Sequence, residues 1–153
     1  MISVMLDDLS STDARAVVAE HLSGMDANSP PGHVHALAIE ALTAPNVTFW
    51  TARIEGELRG CGALKELHSL AGEIKSMRTR AKFLRRGVAQ ALLDTIVQTA
   101  RDRDYATMYL ETGTGEAFEA AHRLYLRNGF EWCGPFADYR ATDFSVFMRF
   151  ALR

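Results

Sequence analysis

With 153 residues, 48% of them apolar and 24% charged, the chain has the composition of an ordinary globular domain, long enough to bury one core and short for two. Its formal net charge of −2 excludes the basic surplus of a general nucleic-acid binder, and no apolar run approaches the ~18 residues of a membrane span. Cys61 and Cys133 form neither a C-x-x-C nor a zinc spacing, so reduced thiols and a cytoplasmic location are expected.

Met1–Asp8 lacks the basic and apolar regions of a secretory leader, and Ile2–Met5 reads as a short strand. Thr12 to about Leu22 reads as a helix capped by Ser11 or Thr12, with Ala14, Val17, Val18 and His21 on one face. Ser29-Pro30-Pro31-Gly32 ends it, because proline cannot continue a helix interior, and helix is expected again over Val34–Leu42. Val47–Ile54 and Leu58–Glu66 read as a hairpin around Glu55-Gly56-Glu57. After a loop at Ala71-Gly72, a strand over Glu73–Thr79 sets Glu73, Lys75, Met77 and Thr79 on one face by simple alternation.

From Gly87 to about Arg103 the spacing of Val88, Ala91, Leu92, Thr95, Ile96 and Thr99 predicts a helix. Thr107–Glu111 is short and apolar enough to be a buried strand, Thr114 begins a helix that Asn128-Gly129 stops, and Phe144–Leu152 is a last strand. The strand–helix–strand order from Glu73 to Glu111 implies a right-handed parallel crossover. The whole reads as an α/β protein with a mixed sheet, a single domain over residues 1–153 without linker or repeat.

The chemistry concentrates between the third strand and the long helix. A helix N-terminus attracts anions, yet Lys82, Arg85 and Arg86 precede this one and its first turn holds no Asp or Glu. Such a cluster repels itself unless an anion sits in it. A phosphate on the backbone N–H groups fits, with Gly87 letting the backbone come close and Ala89 keeping the entrance narrow. The plainer reading is a surface turn with solvated arginines. No G-x-x-x-x-G-K-[ST] is present, which excludes a phosphate-loop nucleotidase of that type.

Thr79, Phe83 and Arg86-Gly87-Val88-Ala89, followed downstream by Leu124-Tyr125-Leu126-Arg127-Asn128-Gly129-Phe130, resemble the GNAT superfamily of N-acetyltransferases. Gly60–Leu67 and Gly72–Thr79 are similar to a bacterial subgroup of small acetyltransferases. The resemblance implies a mostly antiparallel sheet splayed between two parallel strands and flanked by helices. It implies acetyl-CoA as co-substrate, with its pyrophosphate at Leu84, Arg85, Arg86, Gly87, Val88 and Ala89. Leu84 departs from the family's Arg or Gln, so the charge is expected from Arg85 and Arg86. Strand amides near Met77, Arg78 and Thr79 would polarise the thioester carbonyl.

By the same resemblance Tyr125 is the general acid for the departing thiolate, a role suited to a phenol protonated at neutral pH; otherwise it is a core aromatic. A base is needed because an ammonium has no lone pair. Glu73 and Glu111 at the opening between parallel strand ends are the candidates, Glu73 first; the plainer readings are an exposed strand charge paired with Lys75 or Lys65 for Glu73 and a helix-capping or structural carboxylate for Glu111. His35 follows the proline break on a segment that in this family often overhangs the acceptor pocket, and is the substrate-contact candidate against a half-buried surface histidine. Asp138-Tyr139 rims the same pocket on thinner grounds. The five histidines form no H-E-x-x-H, so no metal is expected.

The expected activity is direct acetyl transfer in a ternary complex to a primary amine of a small molecule. An amino-acid-like metabolite is favoured because Lys65, Lys75 and Arg78 lie near the acidic pair. Polyamines, aminoglycosides, and protein N-termini or lysines stay open as acceptors. A non-catalytic CoA-binding module is the rival reading, to which Leu84 leans. A homodimer is compatible with the family, though no interface is legible.

Overall fold

The computed structural model describes residues 1–33, 37–84 and 86–153. In chain order the elements are β1 (Ser3–Leu6), α1 (Thr12–Asn28), α2 (Ile39–Leu42), β2 (Val47–Ile54), β3 (Glu57–His68) and β4 (Ala71–Thr79). They continue with α3 (Val88–Asp102), β5 (Thr107–Thr112), α4 (Glu119–Arg127), β6 (Glu131–Cys133) and β7 (Val146–Ala151). One seven-stranded sheet runs β1-β2-β3-β4-β5-β7-β6, with β4 and β5 parallel and all other neighbours antiparallel.

The β2–β3 turn holds Glu55 at φ 51° and Gly56 at φ 82°, the left-handed pair that matches the twist of a two-residue hairpin. Alternation in β2 then sends Phe49 to one face and Trp50 to the other. Phe49 joins Leu9, Val17, Val18, Leu42 and Ala63 beneath α1 and α2. Trp50 joins Leu64, Leu92, Ile96, Met108 and Leu124 beneath α3 and α4. Burying each such side chain stabilises the fold by roughly 1.5–3 kcal/mol before entropy, so both layers are needed to hold the sheet.

Several expectations are corrected. Helix α1 runs on to Asn28, and of the helix expected over Val34–Leu42 only Ile39–Leu42 is observed; residues 34–36 lie outside the described residues. The loop expected at Ala71-Gly72 is strand, with the turn at Ser69-Leu70. Gly72 serves packing there: a Cβ on it would stand 2.8 Å from both Leu64 and the Tyr105 ring. A single 3-10 turn at Glu116–Phe118 precedes α4, so the helix starts five residues later than Thr114. The buried stripe of α3 is Val88, Leu92, Leu93, Ile96 and Ala100, with Ala91, Thr95 and Thr99 only flanking it. Three-residue β6, too short to show periodicity, was not expected; it is held by pairing with β7.

The largest correction concerns β4. Ser76 has φ 55° and the register to β3 slips between Cys61↔Arg78 and Ala63↔Lys75, a bulge of one extra residue. Alternation therefore breaks. Glu73 and Lys75 lie on the α1 face, whereas Met77 sits across from Gly62 against Ile96 under α3, and Arg78 returns to α1.

Candidate active site

Strands β4 and β5 pair only over Ala71–Glu73 and Thr107–Tyr109, although both run several residues further. Past Glu73 they diverge. Leaving strand backbone unpaired is costly unless something else occupies the gap, and here the gap opens into a cavity of about 110 Å³. Its walls are His21 and Met25 of α1, Glu73 to Met77 of β4, Leu110 to Thr112 of β5, and Phe118, Ala121 and Tyr125 from the α4 side. The cavity thus joins the two faces of the sheet, with carboxylates on one side and a phenol on the other.

Glu73 is 2% exposed. Its Oε2 accepts a hydrogen bond from the Tyr139 hydroxyl at 2.5 Å and from Lys75 Nζ at 3.2 Å, and Lys75 Nζ also donates to the Tyr139 oxygen at 2.8 Å. These partners satisfy an oxygen that would be costly to bury unpaired. Burial, followed by the negative charge and hydrogen bond of Glu73 and the charge of Glu111, holds the Tyr139 phenol well above its ordinary pKa. Tyr139 keeps its proton. Its ring is fixed by Phe136 and Phe147, and Phe136 stacks on Tyr109 of β5 at 4.8 Å. This aromatic cluster ties the loop before β7 across the acidic side of the cavity.

Glu111 lines the same cavity from β5, half-buried, opposite Phe147 of β7. The structure therefore brings both candidate glutamates to one space, Glu73 from a paired and fully enclosed position and Glu111 from a more open one. Tyr125 is 4% exposed, packs edge-on to Phe130 and reaches the cavity from α4. Burial alone raises its pKa above the ordinary phenol value, so it is protonated at neutral pH. His35 lies outside the described residues.

The basic loop follows β4. Ala81–Phe83 form a 3-10 turn pinned by Phe83, which is buried beneath the Arg59 guanidinium. Arg80 is spent on Glu20 of α1 at 2.8 Å. Leu84 is 57% exposed, Arg86 is exposed, and Arg85 lies outside the described residues. Gly87 is the N-cap of α3 at φ 82°, a conformation that costs any L side chain, and only Ile2 lies within contact distance of a Cβ placed there. Among the described residues no side chain caps α3, and its first turn holds no acid, so the amides of Val88 and Ala89 are open to an external acceptor. A helix start of this kind can accept an anion such as a phosphate. At the other end of the loop, the bulge at Ser76 takes the backbone near Met77 out of register with β3.

The cysteines are placed where acyl chemistry is unfavourable. Cys61 is fully buried, donates to the Ser76 carbonyl at 3.2 Å, and burial pushes its pKa up to about 12. Burial also raises that of Cys133. Among the described residues no three His, Cys, Asp or Glu side chains cluster as a metal site, and no helix is long and apolar enough to cross a membrane.

Sequence reasoning set His21 on the buried face of α1 but missed that this face ends in the cavity. The pairing of Glu73 with Lys75 was legible as its plainer reading, though as an exposed pair and not the buried one observed, and Tyr139 only as a rim residue. No local pattern could have joined Glu73 to a tyrosine 66 positions away.

An uncharacterised N-acetyltransferase of Bacillus subtilis (strain 168), YsnE, is 49% identical over 145 residues, covering 95% of this chain and 96% of its own. A candidate acyl-CoA N-acyltransferase from Klebsiella pneumoniae superposes with a TM-score of 0.82 at 27% identity, over 100% of this chain and 99% of that one. A GNAT family acetyltransferase from Elizabethkingia anophelis, solved with acetyl-CoA bound, shares the fold at a TM-score of 0.65 and 14% identity, over 99% and 98%. With the splayed parallel strands, the uncapped glycine-led helix and a sequence model of the Acetyltransferase (GNAT) family matching residues 15–130, the chain belongs to the GNAT family and is an N-acetyltransferase.

Proposed function

We propose that the whole chain is one cytoplasmic N-acetyltransferase domain that moves the acetyl group of acetyl-CoA directly to a primary amine of a small, amino-acid-like molecule. The observation that carries this reading is the cavity between β4 and β5, which brings Glu73 and Glu111 from one face of the sheet to Tyr125 from the other. A small cleft with charged groups of both signs suits a small zwitterion better than a nucleic acid or a membrane surface.

In this reading the amides of Val88 and Ala89, Gly87 and the charges of Arg85 and Arg86 hold the pyrophosphate, with Leu84 contributing backbone only. Acetyl-CoA supplies the activated acyl group. Backbone N–H groups from Met77 to Thr79 steady the charge that develops on the thioester oxygen. Glu73 takes the ammonium proton, directly or through a water, on Oε1, because Tyr139 and Lys75 occupy Oε2. Glu111 is the second candidate for that role. Tyr125 gives its proton to the departing thiolate, and the inert setting of Cys61 favours transfer without an acyl-enzyme.

The test is release of CoA thiol from acetyl-CoA with a panel of amines. Tyr125→Phe should lower kcat by about 10²-fold with little change in the KM for acetyl-CoA. Turnover at the wild-type rate under saturating substrates would remove Tyr125 from the acid role. CoA binding without turnover of any amine would overturn the catalytic reading of this cavity.

A further inference from the structure

The α1 wall of the cavity carries polar groups that the acetyl-transfer chemistry does not use. His21 is 8% exposed and lines the cavity, and its Nδ1 is buried without a hydrogen-bond partner. Native proteins rarely leave such an atom unpaired, so its partner is expected from outside the chain. One turn along α1, a Cβ on Gly24 would stand 2.6 Å from one terminal nitrogen of Arg78 and 2.8 Å from the other. Glycine inside a helix is unfavourable relative to alanine. Here its bare backbone makes the groove in which the guanidinium lies, beside the turn that carries His21.

The two cations near His21 differ in place and commitment: Lys75 lines the cavity, and Arg78 lies beside it against Gly24. Lys75 is bound to Glu73 and Tyr139. Arg78, brought to this face by the bulge at Ser76, makes no side-chain hydrogen bond or ion pair among the described residues. Burial, then the charges of Arg78 and Lys75, lower the His21 pKa to about 4, so a neutral imidazole stands near the Arg78 cation. Glu73 and Glu111 line the same cavity.

We propose that His21 and the Arg78 guanidinium form an anion subsite for the acceptor's carboxylate, which makes the acceptor a carboxylate-bearing primary amine. This rests on the acetyl-transfer reading of the same cavity. The guanidinium offers a carboxylate its planar fork, and His21 adds Nδ1–H in the tautomer protonated there. The substrate's ammonium then lies toward Glu73 and Glu111, and its carboxylate toward His21 at the cavity wall and the Arg78 guanidinium beside it. One cation with a neutral imidazole matches a single negative charge better than a phosphate dianion.

The experiment compares kcat/KM for the common L-amino acids and ω-amino acids with their decarboxylated amines, in wild type, His21→Leu and Gly24→Ala. Gly24→Ala keeps a good helix former in α1 while its methyl displaces the flexible guanidinium, and its urea midpoint checks the fold. Wild type should prefer a carboxylate-bearing acceptor at least tenfold over its decarboxylated counterpart, and both variants should lose most of that ratio. Acetylation without such a preference, or a preference untouched in both variants, overturns the subsite and leaves acetyl transfer standing. If no amine is acetylated, the broader reading fails and the subsite is judged by binding. The imidazole NMR signal of His21 in the CoA-saturated protein should then shift with a carboxylate-bearing amine and not with its decarboxylated counterpart; no shift overturns the proposal.

Discussion

The two ends of the divide between β4 and β5 are built on different principles. At the loop from Arg80 to Ala89 the work falls to backbone: a glycine at φ 82°, an uncapped helix start and exposed side chains. At the acceptor end it falls to buried side chains from distant segments, with Glu73, Lys75 and Tyr139 closed into one hydrogen-bonded set. A backbone site tolerates side-chain change and fails when its conformation is altered. A side-chain site does the reverse.

The sharpest way to break this contrast is Glu73→Gln, which keeps the shape and removes the charge. If Glu73 is the base, kcat should fall by about 10²–10⁴-fold, with acetyl-CoA binding retained by calorimetry. A loss of that size in Glu111→Gln, with Glu73→Gln near wild type, would exchange the two assignments.

A second probe is acid stability at the α1 wall. His21 has its folded pKa lowered to about 4 from 6.5, so between these values the unfolded chain binds the proton and the folded one does not. The stability it contributes is present above about pH 6.5 and is lost as pH falls toward 4; between pH 7 and pH 5 the loss is about 2 kcal/mol. Urea unfolding of wild type and His21→Leu at the two pH values isolates this share. Equal pH dependence in the two proteins would mean that His21 is more solvated than its burial indicates.

The smallest effects belong to the loop. Gly87→Ala forces a Cβ into a left-handed conformation at about 1–2 kcal/mol, and should raise the KM for acetyl-CoA severalfold. Arg86→Gln should cost less, about 1 kcal/mol of CoA affinity, because an exposed charge is screened. If Arg86→Gln proves the more damaging, charge and not backbone holds the cofactor.

Legibility in the sequence follows the same divide. The bounds of α3 and the Glu55-Gly56 turn are written in local patterns, and each landed within a residue or so of its observed place. The position of β4 was also readable, but not which way its side chains point. Simple alternation put Met77 beside Glu73, and one residue, Ser76 at φ 55°, moves Met77 to α3 and hands Arg78 to α1. A serine carries no signal for a bulge, since the slip is set by how β3 and β4 pack between two helical layers. Gly24 is similar: its sequence context suggests a weak point in a helix, whereas the fold uses it as a groove for Arg78.

The sequence by itself determined the class of molecule and the glycine-led start of α3, because helix period and turn chemistry are encoded by residues a few positions apart. Tertiary structure alone decided the acceptor cavity. Its walls come from α1, β4, β5 and the α4 side, with Tyr139 bonded to Glu73 behind them, and what those side chains can do depends on burial and through-space charge that neighbours in the chain do not share.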